Sequence, residues 1–249
     1  MIEVSDYVLG DGTPWRLFIP PDAVDGWAVL WLQGLTSTIE GHSEGCARMA
    51  IQTKLPFAIL DYAGHGSHPV KLDNATRAQQ CEEVIAVYDK LVRQGYQNII
   101  VVGGSFGGYM AALLAGKRSS IATVLRAPAN YADKEISLRY ADTAGGRGDR
   151  DTLLYRQNLD EGFSNQAIEA VRSYKGWTYI LEHGNDASIH PSIPRLYFSA
   201  AETGSYITIP GLEHTPRKMI DSQRWSKVAE NWNVAIVKNI TSMYGMVKG

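Results

Sequence analysis

The stretch Asn98-Ile99-Ile100-Val101-Val102-Gly103-Gly104-Ser105-Phe106-Gly107-Gly108-Tyr109-Met110-Ala111-Ala112-Leu113-Leu114-Ala115 decides the reading of this chain. Its opening, through Val102, has the continuous apolar, β-branched character of a strand buried on both faces. From Tyr109 onward it is rich in helix formers. Between the two lies Gly103-x-Ser105-x-Gly107. A strand that turns straight into a helix strains the residue at the apex, and bulky neighbours would collide with the turn. A serine there holds its hydroxyl at a helix N-terminus, where the dipole favours a developing negative charge. The spacing alone arises by chance in roughly one chain in ten of this length, as a Gly-rich turn that packs a helix closely on a sheet. The strand before and the helix after make Ser105 a candidate nucleophile.

Working outward, the same alternation repeats. Residues 2–9 and 14–20 are strand-like runs around the turn Gly10-Asp11-Gly12-Thr13 and read as a hairpin. Further strands are expected at 27–32, 57–62, around 121–125, at 177–181 and at 205–209. Helices are expected at about 41–54, 75–94, 164–173 (with Ser164 as N-cap), 193–201 and 222–245, several carrying an apolar stripe. Alternating strands and helices predict one mostly parallel sheet of about eight strands with helices on both faces, in a single domain spanning 1–249. Sites in such sheets form at the carboxyl ends of the strands. Residues 131–176 break the rhythm: 15 of these 46 residues are charged, and no strand is evident. With Tyr131, Tyr140, Tyr155, Phe163 and Tyr174 inside it, the segment reads as an inserted cap over the site.

Composition narrows the function. The formal charge is −2 with no basic block, so nucleic acid is not an expected partner. No apolar run approaches a membrane span, and the first residues do not read as a signal peptide. Cys46 and Cys81 are too few for a disulfide framework and lack zinc-ligand spacing. Cys81 falls on an apolar helix face as a buried thiol. No metal or other cofactor is expected, and a cytoplasmic protein fits these features. The oligomeric state is left open, a homodimer being one option.

A serine hydroxyl needs a base to take its proton. Of six histidines, His214 directly follows the last strand, on the loop Pro210-Gly211-Leu212-Glu213-His214. An orienting carboxylate would fix its tautomer, and Asp186, behind Gly184-Asn185, ends the loop after the preceding strand. Glu182 is the rival acid. The order Ser105, Asp186, His214 is the one expected on this scaffold. His65 reads as a turn residue bonded to backbone, His183 and His190 as structural, and His42 and His68 as surface or loop residues. An oxyanion hole needs two backbone N–H groups; Phe106 should supply one and Leu35, after Gln33-Gly34, the other. Gln33, Tyr131, Tyr140 and Tyr155 are candidates for substrate contact.

Together, Gln33-Gly34-Leu35, Asp61-Tyr62-Ala63-Gly64-His65-Gly66-Ser67, the Ser105 elbow, His183-Gly184-Asn185-Asp186 and Gly211-Leu212-Glu213-His214 resemble the bacterial α/β-hydrolases along nearly the whole chain. The Gly-His-Gly-Ser loop and Leu125-Arg126-Ala127-Pro128-Ala129 are similar to the cinnamoyl/feruloyl-type esterases and their dienelactone-hydrolase-like relatives. The resemblance implies the α/β-hydrolase fold and a serine hydrolase that cleaves small-to-medium acyl or aryl esters through an acyl-enzyme. A thioesterase or acyltransferase with the same three residues is the alternative, and a non-catalytic binding module a more distant one. In one respect the chain departs from the pattern: many relatives have His-Gly where it has Gln33-Gly34.

Overall fold

The computed structural model describes residues 1–143, 159 and 162–245. Eight strands form one sheet: β1 (Glu3–Val8), β2 (Pro14–Ile19), β3 (Trp27–Leu32), β4 (Phe57–Leu60), β5 (Asn98–Gly104), β6 (Ala122–Arg126), β7 (Trp177–His183) and β8 (Gly204–Ile209). Their order is β1-β2-β4-β3-β5-β6-β7-β8. The β1–β2 and β2–β4 pairs are antiparallel, and every other neighbour is parallel. All six residues of β3 are buried, as a strand covered on both faces requires.

Among the described residues six α-helices cover the sheet: α1 (Ile39–Thr53), α2 (Arg77–Arg93), α3 (Phe106–Ala115), α4 (Gln166–Ser173), α5 (Ser192–Ala200) and α6 (Ser222–Met243). Their apolar stripes sort them to two sides. Leu91 of α2, Met110 of α3, Ile168 of α4 and Tyr197 of α5 belong to one core, while Met49 of α1 and Ile236 of α6 belong to the other. Each such side chain contributes on the order of 1.5–3 kcal/mol by leaving water.

Local chemistry sets the ends of these elements and shifts several from their expected positions. Helix α1 starts at Ile39 rather than 41, because Thr38 caps the Gly41 N–H at 3.1 Å and the Asp61 carboxylate accepts the Ile39 N–H at 2.8 Å. Strand β4 stops at Leu60 rather than 62, since Asp61 turns back to accept the Ser67 N–H at 3.0 Å. Helix α4 is capped by Asn165, which accepts the Ile168 N–H at 3.0 Å, and not by Ser164, whose hydroxyl bonds Glu169 instead.

Helix α4 also revises the expected cap. It packs Ala167, Ile168 and Val171 into the core beside α3 and connects β6 to β7, so it belongs to the helical layer. A Cβ on Gly116 at the end of α3 would come within 2.7 Å of the Ala170 Cβ. Among the described residues before it, 131–143 stand outside the alternation. There Tyr131 and Tyr140 lie against the buried guanidinium of Arg77, 4.2 and 5.0 Å from their ring centroids, and Glu135 pairs with Arg77 at 3.3 Å. Expected cap residues 144–158, Tyr155 among them, lie outside the described residues.

A polar junction is buried where α2 meets the loop after β4. The Glu83 carboxylate accepts the Ala63 N–H at 2.8 Å and the Gln79 amide at 2.9 Å. His68, expected on a surface loop, is instead buried with its Nε2 3.4 Å from Glu83. Burial raises the Glu83 pKa to about 7, against the pull of those two donors and helped by the charge of Asp11, and burial lowers that of His68. Because the folded chain holds the Glu83 proton more tightly than the unfolded one, this group's contribution is complete below pH ~4.5 and is lost as pH rises through about 7. Urea unfolding between pH 4.5 and 7.5 should therefore show the protein losing roughly 3 kcal/mol relative to Glu83→Gln. Parallel stability curves for the two proteins would contradict this assignment.

Candidate active site

The turn from β5 into α3 takes a single residue. Ser105 has φ 55° and ψ −116°, a region that costs a non-glycine residue about 1–3 kcal/mol. Backbone bonds hold it there. Its N–H donates to Arg126 O at 2.9 Å, and its carbonyl accepts from Gly108, Tyr109 and Ala129 at 2.9, 3.2 and 2.9 Å. The glycines on either side are needed for contact. A Cβ on Gly103 would lie 2.1 Å from Gly107 O, and one on Gly107 would lie 1.9 Å from Leu32 O. Helix α3 thus enters directly against the end of β3.

The loops after β7 and β8 bring the other two groups to Ser105. They are joined by backbone bonds from Gly184 to Ile209 O and from Asn185 to Leu212 O, at 2.9 and 3.0 Å. His183, the last residue of β7, adds a bond from its Nδ1 to Glu213 O at 2.8 Å, beside His214. Burial, followed by the nearby Arg126 charge, lowers the His183 pKa to about 3. The ring is therefore neutral, and Nδ1 must carry the proton it donates to Glu213.

Within this frame His214 Nε2 lies 2.9 Å from Ser105 Oγ, and His214 Nδ1 lies 2.7 Å from Asp186 Oδ2. The other Asp186 oxygen accepts the Ser188 and Ile189 N–H groups at 2.8 and 2.9 Å. Burial disfavours its charge, but the bond to His214, the His214 charge and the two backbone donors outweigh burial and lower the pKa. A carboxylate held ionised fixes the imidazole with its proton on Nδ1, leaving Nε2 to accept from the serine hydroxyl. The Asp186 side chain is 4% exposed and that of His214 20%, so the chain opens to solvent toward the serine. Glu182 is not part of it; its carboxylate accepts from Thr208 at 2.8 Å.

Leu35 and Phe106 stand on the two backbone segments that meet at Ser105. Among the described residues neither amide has a protein acceptor. Thr36, at φ 66°, bends the loop that carries Leu35. A Cβ on Gly34 would meet Ser105 Cβ at 3.7 Å and Gly104 O and Ser37 Oγ at 3.8 Å, ordinary contacts, so the loop lies against the elbow without a tight backbone approach.

Of the expected substrate-contact residues, Gln33, Tyr131 and Tyr140 are placed otherwise. Gln33 is buried, with its amide donating to Leu60 O at the foot of the loop. Tyr140 is buried with its hydroxyl on Gln80 at 3.0 Å, and Tyr131 packs between Arg77 and the rings of Phe106 and Tyr109. Tyr174 is buried too and donates to Ser120 O at 2.9 Å. His65 is a turn residue bonded to Ala63 O at 3.2 Å, and His190 bonds Ser192 at 2.9 Å. Both cysteines are free and buried. Among the described residues no group of three or more His, Cys, Asp or Glu side chains could hold a metal, and no helix is long and apolar enough to cross a membrane. A carboxylate just after a strand and before Gly-His-Gly-Ser, as Asp61 is, carries an Asx-turn signal, whereas no local sequence signal marks Tyr62.

The close approach at the elbow is directly testable. Gly103→Ala should cost about 3 kcal/mol or more in urea unfolding. Gly10→Ala, whose added Cβ meets nothing within 4 Å, should stay within about 0.5 kcal/mol of the parent. A fully stable Gly103→Ala protein would show that the contact is not as tight as described.

No family model matches the chain, and no curated protein sequence matches it. Solved structures do share its architecture. Est1E from Butyrivibrio proteoclasticus, with ferulic acid bound, aligns at a TM-score of 0.65 and 15% identity over 94% of this chain and 95% of that one. An esterase from Pyrobaculum calidifontis aligns at 0.65 and 19% identity, covering 96% and 85%. A fungal esterase from Rhizomucor miehei aligns at 0.68 and 15% identity, covering 98% and 86%. Identities this low speak for architecture alone. On that ground, and on its sheet order, the chain has the α/β-hydrolase fold.

Proposed function

We propose that the protein is a serine hydrolase that cleaves carboxylic esters through an acyl-enzyme. The observation that carries this reading is the continuous chain Ser105 Oγ, His214, Asp186, with links of 2.9 and 2.7 Å, built on a strained serine at a helix N-terminus. A strained residue kept in place by four backbone hydrogen bonds is hard to explain as packing alone.

Each group then has a task. His214 Nε2 takes the proton as Ser105 Oγ attacks the ester carbonyl carbon. The carbonyl oxygen becomes an oxyanion, met by the Leu35 and Phe106 amides and by the N-terminal end of α3. Asp186 holds the imidazole in place and stabilises its positive charge. As the tetrahedral intermediate collapses, the C–O bond to the alcohol breaks and His214 returns its proton to the departing oxygen. A water molecule then attacks the acyl-serine by the same steps, releasing the acid and restoring Ser105.

Small-to-medium acyl or aryl esters are the proposed substrates. Ferulic acid bound to a protein of the same fold supports an aryl acid. The ring faces of Tyr131 and Tyr140 do not support it, because Arg77 occupies them. We place the remaining cap over the site as part of the same proposal, since residues 131–143 follow β6, next to the elbow strand.

Ser105→Ala keeps a Cβ at the strained position and should stay folded, while turnover of p-nitrophenyl esters falls by about 10⁴–10⁶-fold. His214→Ala should lose a similar amount and the double variant little more. A fluorophosphonate should label the parent and not Ser105→Ala. A Ser105→Ala protein retaining a tenth of the ester activity would refute the mechanism. A thioester series run beside the oxygen esters tests the thioesterase alternative.

Acid should inhibit because His214 must be neutral to accept the serine proton. As pH drops from 8 to 5 and protonated imidazole accumulates, kcat/KM should fall. Asp186, its pKa lowered, stays ionised across that range and adds no step of its own. A profile that stays flat from pH 8 to pH 5 would exclude a histidine base.

A further inference from the structure

The two amides assigned to the oxyanion hole sit on different segments, and one buried side chain touches both. Tyr62, two residues past the end of β4, is fully buried. Its hydroxyl donates to Gln33 O at 3.3 Å, on the residue that opens Gln33-Gly34-Leu35. Its ring meets the Phe106 ring edge-on, with centroids 5.5 Å apart and planes at 89°. Burial above all, then the charge of Glu83, keeps the Tyr62 phenol protonated well beyond neutral pH, so it remains a donor.

Gln33 completes the joint. Its side-chain amide donates to Leu60 O, so both its amide and its carbonyl tie the end of β3 to the end of β4. Its carbonyl also faces helix α3: a Cβ on Gly107 would lie 2.7 Å from it. Gln33 O therefore stands between the Tyr62 hydroxyl and the backbone of α3, one residue past Phe106. Movement of Tyr62 would be felt by the segments carrying both amides.

We propose that Tyr62, acting through Gln33 O and the Phe106 ring, is the positioning residue that sets the spacing of the Leu35 and Phe106 N–H groups around the oxyanion. It touches no substrate. Gln33, which stands where many proteins resembling this one have histidine, serves here as the anchor of that spacing and not as a wall of the substrate pocket. The inference rests on the proposed esterase mechanism. It predicts an effect confined to states with a negatively charged oxygen, because misplaced donors weaken the transition state more than the bound ester.

The test compares the parent with Tyr62→Phe, which removes only the hydroxyl, and Tyr62→Leu, which also removes the ring contact. Two readouts are needed: kcat and KM for p-nitrophenyl acetate, and inhibition by an aryl trifluoromethyl ketone, which forms a tetrahedral adduct bearing an anionic oxygen. Tyr62→Phe should lower kcat and ketone affinity in parallel, by ~10-fold, with KM within twofold of the parent. Tyr62→Leu should lower both by roughly 10²-fold if it folds; the Phe variant decides the matter if it does not. Unchanged kcat and ketone affinity in Tyr62→Phe, or a rise in KM alone, would overturn the positioning role and leave the esterase reading standing. A parent protein that neither hydrolyses the ester nor binds the ketone would overturn the esterase reading and this inference with it.

Discussion

A hydroxyl can stand above a parallel sheet only if the strand beneath it becomes a helix without an intervening loop. The serine half of this site follows from that constraint. Ser105 accepts an unfavourable φ because its carbonyl serves three amides and its own amide reaches β6. Gly103 and Gly107 supply the missing volume, letting α3 enter against the carbonyl of Leu32. The strain is therefore not local. It is spread over β3, β5, β6 and α3, nearly all of whose residues are buried, where little can relax.

The second half of the site is assembled by a different principle. His214 and Asp186 lie on loops, and loops alone do not place side chains to a few tenths of an ångström. Here the two loops are tied to one another through Gly184, Asn185 and the His183 ring, so they act as one piece. His183 has its charge suppressed by burial, and its bond to Glu213 has a single polarity because a backbone carbonyl can only accept. The result is a rigid arm on one side and a strained elbow on the other, meeting across 2.9 Å.

Much of this was legible in the sequence, for physical reasons. Ser105, Asp186 and His214 each stand directly behind a strand-like run, so chain order and strand ends alone bring them to one edge of the sheet. The helix period of α2 put Cys81 on its buried face. What was not legible depends on neighbours in space. Nothing in the chain order says that β4 lies on the outer side of β3, and without that adjacency Gln33 and Tyr62 have no reason to meet. Arg77, at the start of an amphipathic helix, looks like a solvated residue. Its burial, which engages Tyr131 and Tyr140, became visible only with the tertiary packing. Aromatic content suggested a lining for the substrate, whereas partnership with a cation assigned those rings to structure.

The separation of Ser105 from His214 along the chain, 109 residues, has a consequence for how the protein comes into being. A ribosome delivers the N-terminal part first, and α/β units begin to form as they emerge. The elbow can be complete while β7, β8 and their paired loops are still unmade, so the nascent chain carries a serine with neither base nor acid. On the mechanism proposed here, reactivity arrives only with the last quarter of the polypeptide. A half-finished chain is thereby kept from attacking esters, or its own neighbours, before its core has closed.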